Sequence, residues 1–172
     1  EYLYINYLKS GSLFETAAVL GGLMVKDDET VAKDLAGFGK HFGNAYQIRD
    51  DICGVYAETK DDELSRNDLL NGDISLPMIY ALDSHELSEE DRLNLLSVYS
   101  GERESIDLEY VQGVYEETGA LERSIEKMKG FADEARGYLL KFGDSEARDF
   151  LEQLINQYYK EFSPADRLKV II

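Results

Sequence analysis

The chain has 172 residues, 44% of them hydrophobic, with two prolines and one cysteine, and its 35 acidic and 18 basic side chains give a formal charge of −17 at pH 7. That length accommodates one domain with a sizeable core, no apolar run is long enough to span a bilayer, and so acidic a balance disfavours nucleic acid or an anionic membrane as a general partner. The lone cysteine, Cys53, excludes an internal disulfide framework and fits a reducing, cytoplasmic compartment.

Many Leu, Ala, Glu, Lys and Tyr at helical spacing, with little β-branched clustering, predict an all-α chain. The first residues, EYLYINYLK, read as the interior of a helix, with no initiator methionine, signal peptide or transit peptide, so the chain is expected to be part of a longer product. This first helix runs from Tyr2 to about Met24, with a bend or break expected at Ser10-Gly11-Ser12. Asp27 and Asp28 offer N-caps for the next segment, which extends to about Tyr56 and repeats Val31, Leu35, Phe38, Phe42, Ala45, Ile52 and Tyr56 on one stripe.

Residues 57–67 are charged and unpatterned, a surface loop. Ser75-Leu76-Pro77 opens a short helix, and Ser88 to Asp91 forms a capping-box variant that starts another, with Leu93 and Leu96 expected inward. Asp107 caps a segment ending near Gly119. An amphipathic helix follows, with Leu121, Ile125, Met128, Ala132, Ala135, Leu139 and Phe142 on one face and Gly143 as its stop. The last helix starts near Ser145, carries Phe150, Leu151, Leu154, Ile155, Tyr158 and Phe162, and ends at Ser163-Pro164. No repeat or linker divides the chain.

The stretch GKHFGNAYQIRDDICGVY, Gly39 to Tyr56, carries the chemistry. At about 100° per residue, Gly43, Gln47, Asp50, Asp51 and Gly54 share one sector opposite the apolar stripe, which predicts a polar, acidic and sterically open face. Glycine inside a helix costs about 1 kcal/mol relative to alanine, and Gly39 and Gly43, four apart, suit close helix packing as well as an open site. Asp50 and Asp51 have no Lys or Arg three or four residues away, so they repel each other unless they face water or a cation. One or two carboxylates plus substrate phosphates are the usual ligands of Mg²⁺, which makes a metal-bridged diphosphate one reading of this face and a solvated acidic surface the other. His41 and His85 read as surface or packing residues, Cys53 as buried on the apolar side, and Phe14, Phe42 and Tyr46 as core residues or tunnel lining.

GNAYQIRDDI resembles the aromatic-Gln, Asp-Asp signature, the second aspartate-rich motif, of the trans-isoprenyl diphosphate synthases, which make geranyl, farnesyl, geranylgeranyl and longer polyprenyl diphosphates. LKSGSLFETAAVLGG, from Leu8 to Gly22, resembles that family's Lys-Thr-Gly segment, and NDLLNGDISLPMIYAL, from Asn67 to Leu82, its Asp-Leu and Leu-Pro segment. The resemblance implies that residues 1–172 are the C-terminal part of a single antiparallel helical bundle around a central cavity, of the farnesyl or geranylgeranyl type, often a homodimer. It implies a prenyltransferase that joins an allylic diphosphate to isopentenyl diphosphate. On these terms Lys9 would neutralise the allylic diphosphate, Ser10 would place a hydroxyl beside it, and Gln47 would face developing positive charge or bond to the diphosphate. Asp50 and Asp51 would hold Mg²⁺.

Three positions depart from the pattern: Gly54 stands where a third aspartate is usual, and Glu63 and Asp73 stand where lysines are usual. Lys60 and Arg66 lie near enough in sequence to compensate, although solvated loop charges describe them as well. Those departures motivate an alternative, a weakened or regulatory paralogue that pairs with an active synthase. A third reading is an acidic helical interaction domain.

Overall fold

A computed structural model describes residues 1–25, 28–56, 72–100, 107–160 and 162, and among them the chain is helical, with no strand. Asp27, the loop charges Lys60, Glu63 and Arg66, residues 67–71, the Ser163-Pro164 stop and residues 170–172 lie outside the described residues. The helices are α1 (Tyr2–Asn6), α2 (Ser12–Leu23), α3 (Glu29–Tyr56), α4 (Leu76–Leu82), α5 (Glu89–Tyr99), α6 (Leu108–Glu117), α7 (Ala120–Leu139) and α8 (Glu146–Ile155). π-Helical turns occupy Tyr7–Gly11 and Asn156–Lys160. The expected break at Ser10-Gly11-Ser12 is therefore absent: the helix continues, and its backbone widens by one residue per turn just before Ser12.

The chain divides into two compact units, the first comprising Glu1–Arg49 with Lys127–Phe162. Asp28 caps α3 by accepting the N–H groups of Thr30 and Val31. The helix then packs closely on the α1–α2 segment, because a Cβ on Gly39 would lie 2.6 Å from Glu15 Cα and one on Gly43 would lie 2.8 Å from Gly11 Cα. Gly43 is thus not part of an open face, as the helical wheel suggested; it is buried, and its missing side chain admits a neighbouring backbone. Phe14, Phe38 and Tyr159 each place a ring 5.2 to 5.6 Å from that of Phe42, and the Tyr159 hydroxyl donates to the Phe42 carbonyl at 3.1 Å. Burial raises the Tyr159 pKa well above that of free tyrosine. Arg49 lies over the rings of Tyr158 and Phe162, at 5.1 and 5.6 Å.

The second unit includes Asp50–Glu126. Its core gathers Ile52, Val55 and Tyr56 from the end of α3, Leu76, Met78 and Ala81 from α4, Leu95 and Val98 from α5, and Val111, Val114 and Tyr115 from α6. The expected caps are present: Ser88 Oγ accepts from the Asp91 N–H, and Asp107 Oδ1 accepts from the Tyr110 N–H. Gln112 Nε2 donates to the Val55 carbonyl at 2.8 Å, satisfying an end carbonyl of α3. Leu93 is 66% exposed and Leu96 is also exposed, the reverse of expectation, since Leu95 and Val98 carry the inward face. Phe150 on α8 is likewise exposed, and Cys53 is half-buried rather than buried.

Candidate diphosphate site

In the first unit, Lys9 and Ser10 sit in the Tyr7–Gly11 π-turn, Lys9 exposed and Ser10 half-buried. Residues 2–25 contain one other charge, Glu15, whose hydrogen bond with Tyr7 raises the pKa of that phenol. Gln47, on α3, is 4% exposed. Ser10 Oγ donates to Gln47 Oε1 at 2.7 Å, so two residues 37 apart in sequence meet side chain to side chain. Lys9 is brought to the adjoining position of the same turn. Phe14 meets the tilted rings of Phe42 at 5.2 Å and Tyr46 at 5.3 Å, so these aromatics pack beside the turn.

In the second unit, Asp50 and Asp51 are half-buried on the same continuous helix as Gln47. Asp51 Oδ2 accepts the backbone N–H of Leu76 at 3.0 Å. This carboxylate supplies what the N-cap residue Ser75 does not, since the Ser75 side chain makes no cap hydrogen bond to α4. Two adjacent carboxylates offer hard oxygen donors suited to a magnesium-like ion. Among the described residues no group of three or more His, Cys, Asp or Glu side chains is placed to hold a metal. Gly54, where a third aspartate is usual in the resembling family, is buried, and Asp73 is exposed. His85 is exposed and His41 packs at 5.6 Å on Tyr138 and 2.6 Å from Glu134 Oε2, both within the expectation of surface or packing residues.

Two functional candidates escaped the sequence reading. Asn6 and Asn44 are buried polar residues on the helices that carry Ser10 and Gln47. Asparagine carries no charge or metal-ligand signature, and the only sequence signal was its position in otherwise apolar helical stretches.

The polyprenyl synthetase family model matches residues 1–118. The chain belongs to the polyprenyl synthetase family. It is 31% identical to a prenyl transferase of Cyanophora paradoxa over 94% of this chain and 48% of that protein. Among solved structures, a decaprenyl diphosphate synthase from Rhodobacter capsulatus is 26% identical with a TM-score of 0.80, covering 92% of this chain and 49% of that one. A geranylgeranyl pyrophosphate synthase from Corynebacterium glutamicum, complexed with calcium and isoprenyl diphosphate, is 26% identical with a TM-score of 0.73 over 92% of this chain and 49% of that one. The chain spans about half the length of the curated relatives it matches. The all-helical isoprenoid-synthase fold expected from the resemblance is thereby shown. No helix among the described residues is long and apolar enough to cross a membrane.

Proposed function

We propose that this chain supplies the allylic diphosphate-ionising part of a cytoplasmic trans-prenyltransferase that joins an allylic diphosphate to isopentenyl diphosphate, giving a longer prenyl diphosphate of the farnesyl or geranylgeranyl type. The observation that carries the reading is the 2.7 Å hydrogen bond from Ser10 to Gln47, which unites two of the three family-like blocks beside Lys9. The exposed Lys9 ammonium neutralises an oxygen of the leaving diphosphate. Ser10 holds the amide oxygen of Gln47, which favours the N–H edge of that amide as its contribution to a diphosphate oxygen. Asp50 and Asp51 would hold a divalent cation, Mg²⁺, which supplies positive charge to a diphosphate. As the allylic C–O bond breaks, its electron pair leaves with the diphosphate. The double bond of isopentenyl diphosphate then forms the new C–C bond to the allylic cation, and transfer of a proton from the adjacent carbon to the departed diphosphate restores the alkene.

The test is incubation of the full-length protein with Mg²⁺, isopentenyl diphosphate and allylic primers from five to twenty carbons, with products resolved by chromatography. A longer prenyl diphosphate is expected, together with a loss of about 100-fold in kcat/KM for Lys9→Ala. No elongation from any primer overturns the proposal.

We also propose that the protein is a homodimer through α2. No residue of α2 is buried, and Leu13, Leu20 and Met24 are 69%, 57% and 89% exposed along one side. Between Tyr2 and Val25 the only charges are Lys9 and Glu15, so this face lets two copies of a chain of charge −17 approach where repulsion is least.

A further inference from the structure

The π-turn that carries Lys9 and Ser10 gives up a regular backbone hydrogen bond, so something must hold it open. Its last bond runs from the Ser12 N–H to the Tyr7 carbonyl, five residues back. The Leu8 carbonyl, which would take that N–H in an α-helix, accepts the Ser12 hydroxyl instead, at 3.1 Å. Packing on α3 does not decide the matter. The Gly43 notch seats Gly11 and the Gly39 notch seats Glu15, which fixes the segment from Gly11 onward but not how residues 7–10 wind into it.

A second contact spans the turn. Tyr7 is hydrogen-bonded to Glu15, eight residues on, and its ring lies across Gly11, where a Cβ would come within 2.9 Å of Tyr7 Cδ2. Lys40 on α3 covers that ring, its ammonium 5.5 Å from the centroid. In a uniform α-helix residues eight apart are separated by about 80° around the axis and about 12 Å along it. The extra residue of a π-turn makes them equivalent to residues seven apart, about 20° and about 10.5 Å, which sets both side chains on one face above Gly11. Glu15 Oε2 is buried without a hydrogen-bond partner among the described residues, a cost that an aliphatic side chain would not incur. A carboxylate in this place needs a purpose.

Both contacts belong to the wide turn alone. Closed to the α pitch, the Leu8 carbonyl would regain the Ser12 N–H and need no hydroxyl, while Tyr7 and Glu15 would part. An interaction made in only one of two states shifts the balance toward that state. Closure would also turn residues 7–10 progressively out of their present directions and take Ser10 off Gln47.

We propose that Ser12, Tyr7 and Glu15 are positioning residues that hold the Tyr7–Gly11 turn in its wide form and so present Ser10 to Gln47. Any effect on ligand binding rests on the diphosphate reading above, whereas the hold on the turn does not. The test uses the full-length protein in three forms: Ser12→Ala/Glu15→Ala, which removes both contacts, Ser12→Thr/Glu15→Gln, which keeps a hydroxyl and an acceptor in the same places, and Ser10→Ala as a reference. The Gln47 side-chain amide resonances and calorimetric affinity for inorganic pyrophosphate with Mg²⁺ are read. The alanine pair should move the resonances toward their positions in Ser10→Ala and bind pyrophosphate about tenfold more weakly. The conservative pair should leave the resonances in place and the affinity within about twofold of wild type.

Unmoved Gln47 resonances in the alanine pair overturn the proposal, and so does a conservative pair that behaves like the alanine pair. If the alanine pair does not fold, Tyr7→Phe, which deletes one hydroxyl, decides by the same resonances. If the resonances move as expected while neither the alanine pair nor Ser10→Ala alters pyrophosphate affinity, the hold on the turn stands and the diphosphate reading falls.

Discussion

Asp51 is tied to the fold through the N–H of Leu76, at 3.0 Å, as well as being a candidate metal ligand. Removing a helix cap typically costs about 1 kcal/mol, so Asp51→Ala should lower stability in urea by that order, while Asp51→Asn, which keeps a carbonyl acceptor, should lose much less. Asp50→Asn, Asp51→Asn and Asp51→Ala should each weaken Mg²⁺-dependent pyrophosphate binding at least about tenfold, because each removes one of the two carboxylates proposed to hold the ion. Urea titration and calorimetry separate the two effects. Equal stability of Asp51→Ala and wild type would refute the capping account. Lys9, Ser10, Gln47, Asp50 and Asp51 were legible as candidates because charge and family-like order marked them. Asn6 and Asn44 were not, since what distinguishes them is a partner on another helix.

At the scale of elements, helix starts were the most legible feature, because Asp28, Ser88, Asp107 and Ser145 each accept a backbone N–H of the turn they begin. Faces were less so. On α5 the apolar residues Leu93, Leu95, Leu96 and Val98 satisfy two helical stripes at once, and only packing selects Leu95 and Val98. Sequence periodicity also assumes one pitch throughout, so the π-turn holding Lys9 and the one holding Tyr159 were invisible to it.

The packing of α3 on α7 within the first unit makes a prediction about pH. Burial lowers the His41 pKa below 6.5, opposed by Glu134 and assisted by Lys40. A histidine with a lowered folded-state pKa contributes its full stability above the unfolded-state value of about 6.5, and that contribution is lost as pH falls through the folded-state value. The difference in thermal midpoint between wild type and His41→Gln, which does not titrate, should therefore change in disfavour of wild type from pH 7 to pH 5. A difference that stays constant over that range would contradict it.

For the molecule as a whole, the proposed homodimer through the apolar α2 face makes a prediction about mass. Light scattering should give the wild-type protein twice the mass of one chain, and Leu20→Glu should halve it by placing a charge in the row formed with Leu13 and Met24. A monomeric wild-type protein would remove the homodimer and leave α2 to be covered by another segment or partner.

The wide turn from Tyr7 to Gly11 amounts to one surplus residue threaded into a helix. Excising any one of those five positions would let the backbone close to its ordinary pitch, and everything upstream would swing by about 100° around the axis. The direction in which this lysine faces is thus set by how many residues precede Ser12, as much as by which residues they are.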